Sequence, residues 1–314
     1  MIKSSSDIDI DDLNYLDYVR LLWHNKIIIL SVSSLFLLLS TIYALNIPNK
    51  YISTTLLAPV KSENSMVSRM GSLSSLASLS GVNLSNGNSS ATNEALERIK
   101  TYDFFLEHFL KNIKLEDLTA VKTWDEDNNK LIYDNELYDE KLSEWQIKQI
   151  SFKPTAQEAF IKYNEILTIS QDKDNQFVRL SVEHFSPYIA KQWVDLIVNK
   201  IDESIREYDK KSAELSISYI NNSSNCTSFQ SLKDSIASLL ENQMQILMLA
   251  SSNKSYVFKT LDSALIPEQK SSPNRVQILV LGTLLGFMMS ISFILLSHFY
   301  MEYKKNITNN EGLK

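Results

Sequence analysis

The chain has 314 residues, a formal net charge of −6 and a single cysteine. Its apolar and aromatic content is sufficient for a packed core, so a wholly disordered chain is not expected. Lysines and arginines are scattered among carboxylates, which argues against a nucleic-acid partner. Because Cys226 has no second cysteine in its own chain, an internal disulfide is impossible.

Two uncharged apolar runs, residues 27–47 and 276–300, have the length of membrane spans. An α-helix of about 20 residues crosses a bilayer and satisfies its own backbone there. The first run lacks a small-residue cleavage site, so we interpret it as an uncleaved anchor. Two spans place both tails, residues 1–26 and 301–314, on one side of the lipid bilayer. The flanking lysines and arginines are balanced and do not decide which side.

The segment before the first span predicts a helix that lies at the membrane surface. Leu13, Leu16 and Val19 recur at roughly helical spacing after an aspartate-rich start. Trp23 and Lys26 follow, where amphipathic rings and basic side chains meet the lipid headgroups. We therefore assign Trp23 and Lys26 to packing at the membrane.

Between the spans, residues 48–185 and 256–275 predict an α+β base domain. Alternating and β-branched residues indicate strands that are interleaved with helical patterns. The four candidate strands are residues 51–60, 166–170, 177–184 and 256–265.

Helices and loops of the base are predicted from capping and turn signals. Thr155 and Glu158 form a capping box that predicts a helix through Tyr163. A second amphipathic helix is expected over residues 96–113, with Thr92 or Asn93 as its cap. The serine-rich residues 62–92 are predicted to form a loop that could contain one short helix, and the polar stretch "TWDEDNNKLIYDNELYDE" to form turns.

Residues 186–255 predict a long helical hairpin. Ser186 is a good N-cap, Pro187 suits a first helical turn, and apolar residues then recur at helical spacing to about Ile220. Such a helix would reach roughly 50 Å. The stretch "NNSSNCTS" is expected to end it, and a second apolar stripe continues to Ala250. A narrow stripe on so long a rod favours contact with a neighbouring copy of the chain.

The approach to the second span combines restrictive and small residues. Pro267 and Pro273 each fix their own φ and favour extended structure before them. Gly282 and Gly286 lie four residues apart within the span. They form a small-xxx-small face that lets spans approach, within one chain or between neighbours, or they are merely small residues tolerated in a membrane helix. Both interpretations remain open from the sequence.

No pattern predicts a catalytic site, a metal site or a cofactor. A glycine-rich phosphate loop is absent, and the four histidines show no ligand spacing. Asp125, Glu126 and Asp127 could in principle supply an acid and a base, although such charge runs are usually solvated surface. Trp124, Trp145 and Trp193 could stack on sugars, but core packing is their commoner use.

Several motifs in order resemble the chain-length determinant (Wzz) family, the polysaccharide co-polymerases of Gram-negative inner membranes. The leading motif is similar to "DIDIDDLNYLDYVRLLWHNKIII", the Gly/Leu/Ala loop to "MGSLSSLASLSGVNL", and the start of the long helix to "HFSPYIAKQWVDLIVNKIDESIREYD". The descending arm, last strand and exit resemble "LLENQMQILMLASSNKSYVFKTLDSALIPEQKSSPNRVQIL". The exit departs from the family pattern, because Ser271 and Ser272 stand where another proline is common.

The resemblance implies two transmembrane helices flanking a periplasmic α/β base domain with a long protruding helical hairpin. It further implies a homo-oligomeric ring in the inner membrane, with both termini cytoplasmic. Members are non-enzymatic and set the length of a surface polysaccharide, typically the O antigen of lipopolysaccharide. The implied partners are a Wzy-type polymerase and an undecaprenyl-linked glycan.

Three alternative hypotheses for the function remain open. The chain could regulate the length of another glycan, such as enterobacterial common antigen or capsule. It could be a two-span periplasmic sensor or adaptor that reports to a cytoplasmic partner. It could also be a periplasmic glycan-processing enzyme that uses the acidic residues at positions 125–127.

Overall fold

A computed structural model describes residues 21–60, 87–145, 153–224, 230–252 and 255–311 of the chain. It divides into two compact units. One contains Met1–Pro48 and Pro273–Lys314, and the other contains Asn49–Ser272. We call them the span unit and the base unit.

The described part of the span unit contains the helices α1 (Lys26–Asn46) and α8 (Arg275–Glu311). Lys26–Asn46 and Arg275–Met301 are long and apolar enough to cross a membrane, judged by length and composition. The second helix continues beyond the predicted end at residue 300, because no glycine or proline follows before Glu311.

The base unit is built around a four-stranded antiparallel sheet. Its strands are β1 (Tyr51–Pro59), β6 (Leu167–Gln171), β7 (Val178–His184) and β8 (Phe258–Asp262). They lie in the order β6-β7-β1-β8. All four predicted strands are therefore confirmed, and the fold class is α+β. The last strand is shorter than the predicted residues 256–265. Beyond it, the Leu265 carbonyl accepts a hydrogen bond from the Ser53 hydroxyl instead of a ladder partner.

Helices of the base unit partly follow the predicted signals. Helix α5 (Ala156–Ile166) begins with the predicted capping box. The Thr155 side chain accepts the Glu158 N–H, and the Glu158 side chain accepts the Thr155 N–H. Helix α2 runs over Gly87–Ile99, so the predicted caps Thr92 and Asn93 are wrong. Thr92 is instead buried within the helix.

The single helix predicted over residues 96–113 is interrupted. After Ile99 the chain re-enters helix at Thr101, whose hydroxyl accepts the Phe104 N–H. A short α3 (Tyr102–Phe104), a π-helical turn (Phe105–Phe109) and a 3-10 turn (Leu110–Asn112) follow. Helix α4 (Leu115–Thr119) completes this region. Phe105 and Phe109, the first and last residues of the π-helical turn, are both buried in the core.

The core lies between the sheet and the first turns of the long helix α6 (Pro187–Ser224). Phe109 packs against Tyr163 and Trp193, with ring centroids 4.7 and 5.4 Å away. Val178, Leu180 and Val182 of β7 project into the same cluster, as their alternation predicted. The base unit thus has a hydrophobic core of packed aromatic and aliphatic side chains.

Helices α6 and α7 (Gln230–Ala250) form the predicted pair of long helices. Helix α6 continues to Ser224, four residues beyond Ile220 and into the stretch that was expected to end it. Asn and Ser are only moderate helix formers, and neither terminates a helix as Gly or Pro does. A helix of this length extends for about 57 Å.

The polar stretch predicted as turns also contains strands. Strands β2 (Val121–Asp125) and β3 (Lys130–Tyr133) form one hairpin, and β4 (Tyr138–Asp139) and β5 (Glu144–Trp145) form another. The prediction missed them because their polar turns dominate the local composition.

Three predicted features lie outside the described residues. These are the surface helix before residue 21, the Gly/Leu/Ala loop within residues 61–86 and the tip around Cys226.

Candidate membrane assembly site

Gly282 and Gly286 lie where α8 meets α1 within the same chain. A Cβ atom added to Gly282 would stand 2.5 Å from the Ser40 Oγ, and one added to Gly286 would stand 2.6 Å from the Phe36 Cβ. Both distances are far below van der Waals contact, so either side chain would force the helices apart. The structure therefore brings the two glycines against α1, while their role in assembly stays a prediction.

Small and buried residues extend this contact along α8. Ser290 and Ile294 continue the four-residue spacing of the two glycines, and both are buried. On α1, Ser40 and Ala44 are buried. We call these facing residues the span seam: Phe36, Ser40, Ala44, Gly282, Gly286, Ser290 and Ile294.

A hydrogen bond between described residues joins the two helices of the seam. The Ser40 hydroxyl donates to the Ile278 carbonyl at 2.8 Å. Hydrogen bonds of this kind add modest stability between membrane helices. Sequence reasoning missed Ser40, because the five serines and threonines of α1 look alike until the partner helix is known.

Trp23 and Lys26 lie together at the start of α1. The Lys26 Nζ stands 5.8 Å from the centroid of the Trp23 ring, within range of a cation–π contact. Both side chains are exposed. This placement is compatible with the predicted headgroup position, which remains a prediction.

The chain enters and leaves the base unit at paired positions. The Lys50 N–H donates to the Ser272 carbonyl, and the Ser271 N–H donates to the Lys50 carbonyl, both at 2.9 Å. A proline at position 271 would lose that donor. The Ser271 N–H is therefore part of the pairing that closes the exit from the base unit.

Pro267 and Pro273 flank this paired exit, and both are partly buried. Neither residue lies in a helix or strand. Pro267 therefore lies near the end of the base unit, and Pro273 begins the second segment of the span unit.

A polar cluster ties the helical pair to the sheet of the base unit. The Asp202 Oδ1 accepts the N–H groups of Tyr256 and Val257, both at 2.8 Å. Arg206 pairs with the other oxygen of Asp202 at 2.6 Å. The Tyr256 hydroxyl donates to Asp209. Burial is the larger cause that raises the pKa of Tyr256, and this hydrogen bond is the second. An i,i+4 ion pair could have been predicted from the sequence, but not its backbone partners more than 50 residues later.

The acidic run that suggested an enzyme forms a turn instead. The Asp125 Oδ1 accepts the N–H groups of Asp127 and Asn128, and Oδ2 accepts the Asn128 amide. These hydrogen bonds, led by that of the Asn128 side chain, lower the pKa of Asp125. Such a carboxylate is an ionised turn former in water, whereas a general acid needs a raised pKa.

His184 is held by two hydrogen bonds in the core. Its Nε2–H donates to the Asp117 carbonyl at 2.9 Å, and its Nδ1 accepts the Ser186 N–H at 3.0 Å. Burial lowers the pKa of His184 to about 4. The neutral ring therefore joins α4 to the end of β7 and has a structural role.

The tryptophans considered for sugar stacking pack within the base unit. Trp193 is buried against His184, and Trp124 lies edge-on to Tyr51 at 5.5 Å. Within the described ranges, no group of three or more His, Cys, Asp or Glu residues could hold a metal ion.

The two candidate spans and the mixed base unit define the class of the chain as an α+β protein with two candidate membrane spans. Comparison with known families adds a more specific result. Residues 11–109 match the family described as "Wzz: Chain length determinant protein". This match confirms the resemblance seen in the sequence, and it connects the chain with the regulation of polymer length in general.

Solved structures were also compared with the chain. It is similar to a "full-length bacterial polysaccharide co-polymerase", with 14% identity, 92% of this chain and 98% of that chain covered, and a TM-score of 0.40. It is also similar to a fragment of WzzB, a polysaccharide co-polymerase from Salmonella Typhimurium, with 16% identity, 71% and 100% covered, and a TM-score of 0.30. Scores this low do not by themselves establish a shared fold. None of the curated proteins matches the chain.

Proposed function

We propose that the chain regulates the length of the O antigen of lipopolysaccharide as a two-span protein of the bacterial inner membrane. The family match over residues 11–109 is the observation that carries this proposal. It includes the first span, β1, and the helical region through the π-helical turn. In this proposal the base unit and helical pair are periplasmic, and both termini are cytoplasmic.

The proposed mode of action is that of a non-enzymatic scaffold. The hydrogen bonds of Asp125 and the buried setting of His184 give those residues structural roles, which supports a function without catalysis. The scaffold would act beside a Wzy-type polymerase that extends an undecaprenyl-linked glycan. Length would then depend on how long the growing glycan stays with the assembly.

A homo-oligomeric ring is the proposed form of the scaffold. Tyr208, Leu215 and Tyr219 of α6 are 58%, 64% and 75% exposed, and Met248 of α7 is 73% exposed. Large apolar residues repeated along a long helical pair favour burial against another copy. This exposure supports the proposal that the helical pair lies between neighbouring chains.

Deletion of the gene tests the proposed function. Lipopolysaccharide from the parent strain should give a clustered ladder of band lengths on a gel, and the deletion should give an unregulated ladder. Expression of the full chain from a plasmid should restore the cluster. An unchanged ladder would contradict the O-antigen proposal, and a changed length of capsule or enterobacterial common antigen in the same strain would redirect it to that glycan.

A further inference from the structure

A groove runs along one side of the span unit, beside the span seam. It has a volume of about 880 Å³, which lies within the range of roughly 300–1,000 Å³ that ligand sites occupy. Its lining includes residues from both α1 and α8. The residues that matter for the argument are Trp23, Lys26, Leu30, Leu37, Thr283 and Phe287.

The length of the groove along α1 is close to the thickness of one membrane leaflet. Eleven residues separate Lys26 from Leu37, which corresponds to about 17 Å of helix. Half of a hydrocarbon core of about 30 Å is nearly the same length. A lipid chain that starts near Lys26 could therefore follow the groove toward the middle of the bilayer.

Lys26 gives one end of the groove a positive charge. Among the described residues, its ammonium group contacts the Trp23 ring and forms no ion pair. Within the described part of the chain, the lining contains no aspartate or glutamate. The groove is therefore apolar over its length and cationic at its mouth, which is the complement of a lipid with an anionic headgroup.

We propose that this groove binds one anionic phospholipid, with its phosphate at Lys26 and an acyl chain that follows α1 and reaches α8 at the inner end of the groove. The Trp23 ring would lie at the glycerol level, where aromatic rings of membrane proteins collect. Basic sites of this kind between membrane helices recognise anionic headgroups. The inference depends on the span unit alone and holds whether or not the chain regulates a polysaccharide.

Native mass spectrometry of the full-length chain tests the proposal. The protein is equilibrated with equal amounts of phosphatidylglycerol and phosphatidylethanolamine, and the lipids that stay bound are counted. Phosphatidylglycerol should be enriched. Lys26→Gln should lower that enrichment about fivefold, the contribution of one lysine near a headgroup. Lys26→Arg should retain it, because the positive charge remains.

A second variant tests the groove itself. Thr283→Trp should fill the groove and lower the retention of both lipids. Met289→Trp is the matched control, because Met289 is exposed on α8 and outside the lining. Equal enrichment in wild type and Lys26→Gln would overturn the proposal, as would equal losses from the two tryptophan variants. A disulfide between copies that carry Leu30→Cys and Val280→Cys would also overturn it, since a second chain would then fill the groove.

Discussion

The base unit and the span unit are each stabilised internally, and the side chains that do so are of opposite kinds. In the base unit, Phe105, Phe109 and Tyr163 fill the space between elements with large rings. In the span seam, Gly282 and Gly286 remove side chains so that α1 and α8 can approach. The difference follows from the solvent on the other side of each contact.

The hydrophobic effect stabilises the base unit in water, whereas it does not favour contact between helices that are surrounded by lipid. Burial of a large ring from water contributes stability in proportion to its apolar area. A ring moved from lipid to a helix interface gains little, because lipid tails are equally apolar. Close packing and the Ser40–Ile278 hydrogen bond therefore become the main sources of attraction in the seam. The following predictions test that difference.

The largest effect is expected in the aromatic core. Phe109→Ala should lower the free energy of unfolding of the base unit by about 3–5 kcal/mol, because Phe109 is 1% exposed and its removal leaves a cavity. Thermal unfolding of the full chain in detergent measures this loss. Ile161→Ala on the exposed side of α5 is the control and should change stability by less than about 0.5 kcal/mol. Similar losses from both variants would show that the rings do not form the core.

A smaller effect is expected from acid through His184. Its pKa is lowered from 6.5 to about 4 in the folded chain, so the unfolded chain binds the extra proton first as pH falls. Stability should therefore decline between pH 6.5 and 4 by at most about 1.4 kcal/mol per pH unit from this group, and no further below the folded pKa.

Unfolding of wild type and His184→Gln at pH 7 and pH 5 measures the contribution of the histidine. The stability difference between the two proteins should shrink at pH 5, because only the wild type has this proton linkage. His24→Gln, outside the base unit, should follow the wild type at both pH values. A difference that is independent of pH would contradict the buried neutral ring.

The smallest effect is expected from the hydrogen bond in the span seam. Ser40→Ala removes the bond to Ile278 and should weaken the helix pair by about 0.6 kcal/mol. Thr41→Ala is the control, because the Thr41 hydroxyl donates to Leu37 of its own helix. Titration with a denaturing detergent, followed by energy transfer between labels on α1 and α8, measures the difference. Equal effects of the two variants would mean that the bond adds nothing between helices.

Local signals allowed much of the fold to be predicted from the sequence. The Thr155–Glu158 capping box, the β6–β7 hairpin and the two apolar spans each depend on residues close together in the chain. The π-helical turn could not be predicted, because Phe109 meets Tyr163 and Trp193 from distant helices. The short hairpins of residues 121–145 were hidden by aspartates that form their turns.

The candidate site could be predicted only in part, because the glycine spacing is a local signal whereas the partner residues are distant in sequence. The spacing of Gly282 and Gly286 indicated a close approach of helices, but it left open whether the partner belonged to the same chain. Ser40 and Phe36 are more than 240 residues away in sequence, so only the folded structure supplies the partner. The groove beside the seam was equally invisible, because its lining comes from both helices.

The most direct test of the account is whether the glycines join α1 and α8 within one chain. Cysteines at Ser40 and Ile278, in a chain with Cys226→Ser, should form an intramolecular disulfide on oxidation in membranes. Gly282→Leu with Gly286→Leu should reduce this product several-fold, because each added Cβ would collide with α1. Met288→Leu with Met289→Leu should leave it unchanged. Cross-links that form mainly between differently tagged copies, or that ignore the glycine substitutions, would contradict the account.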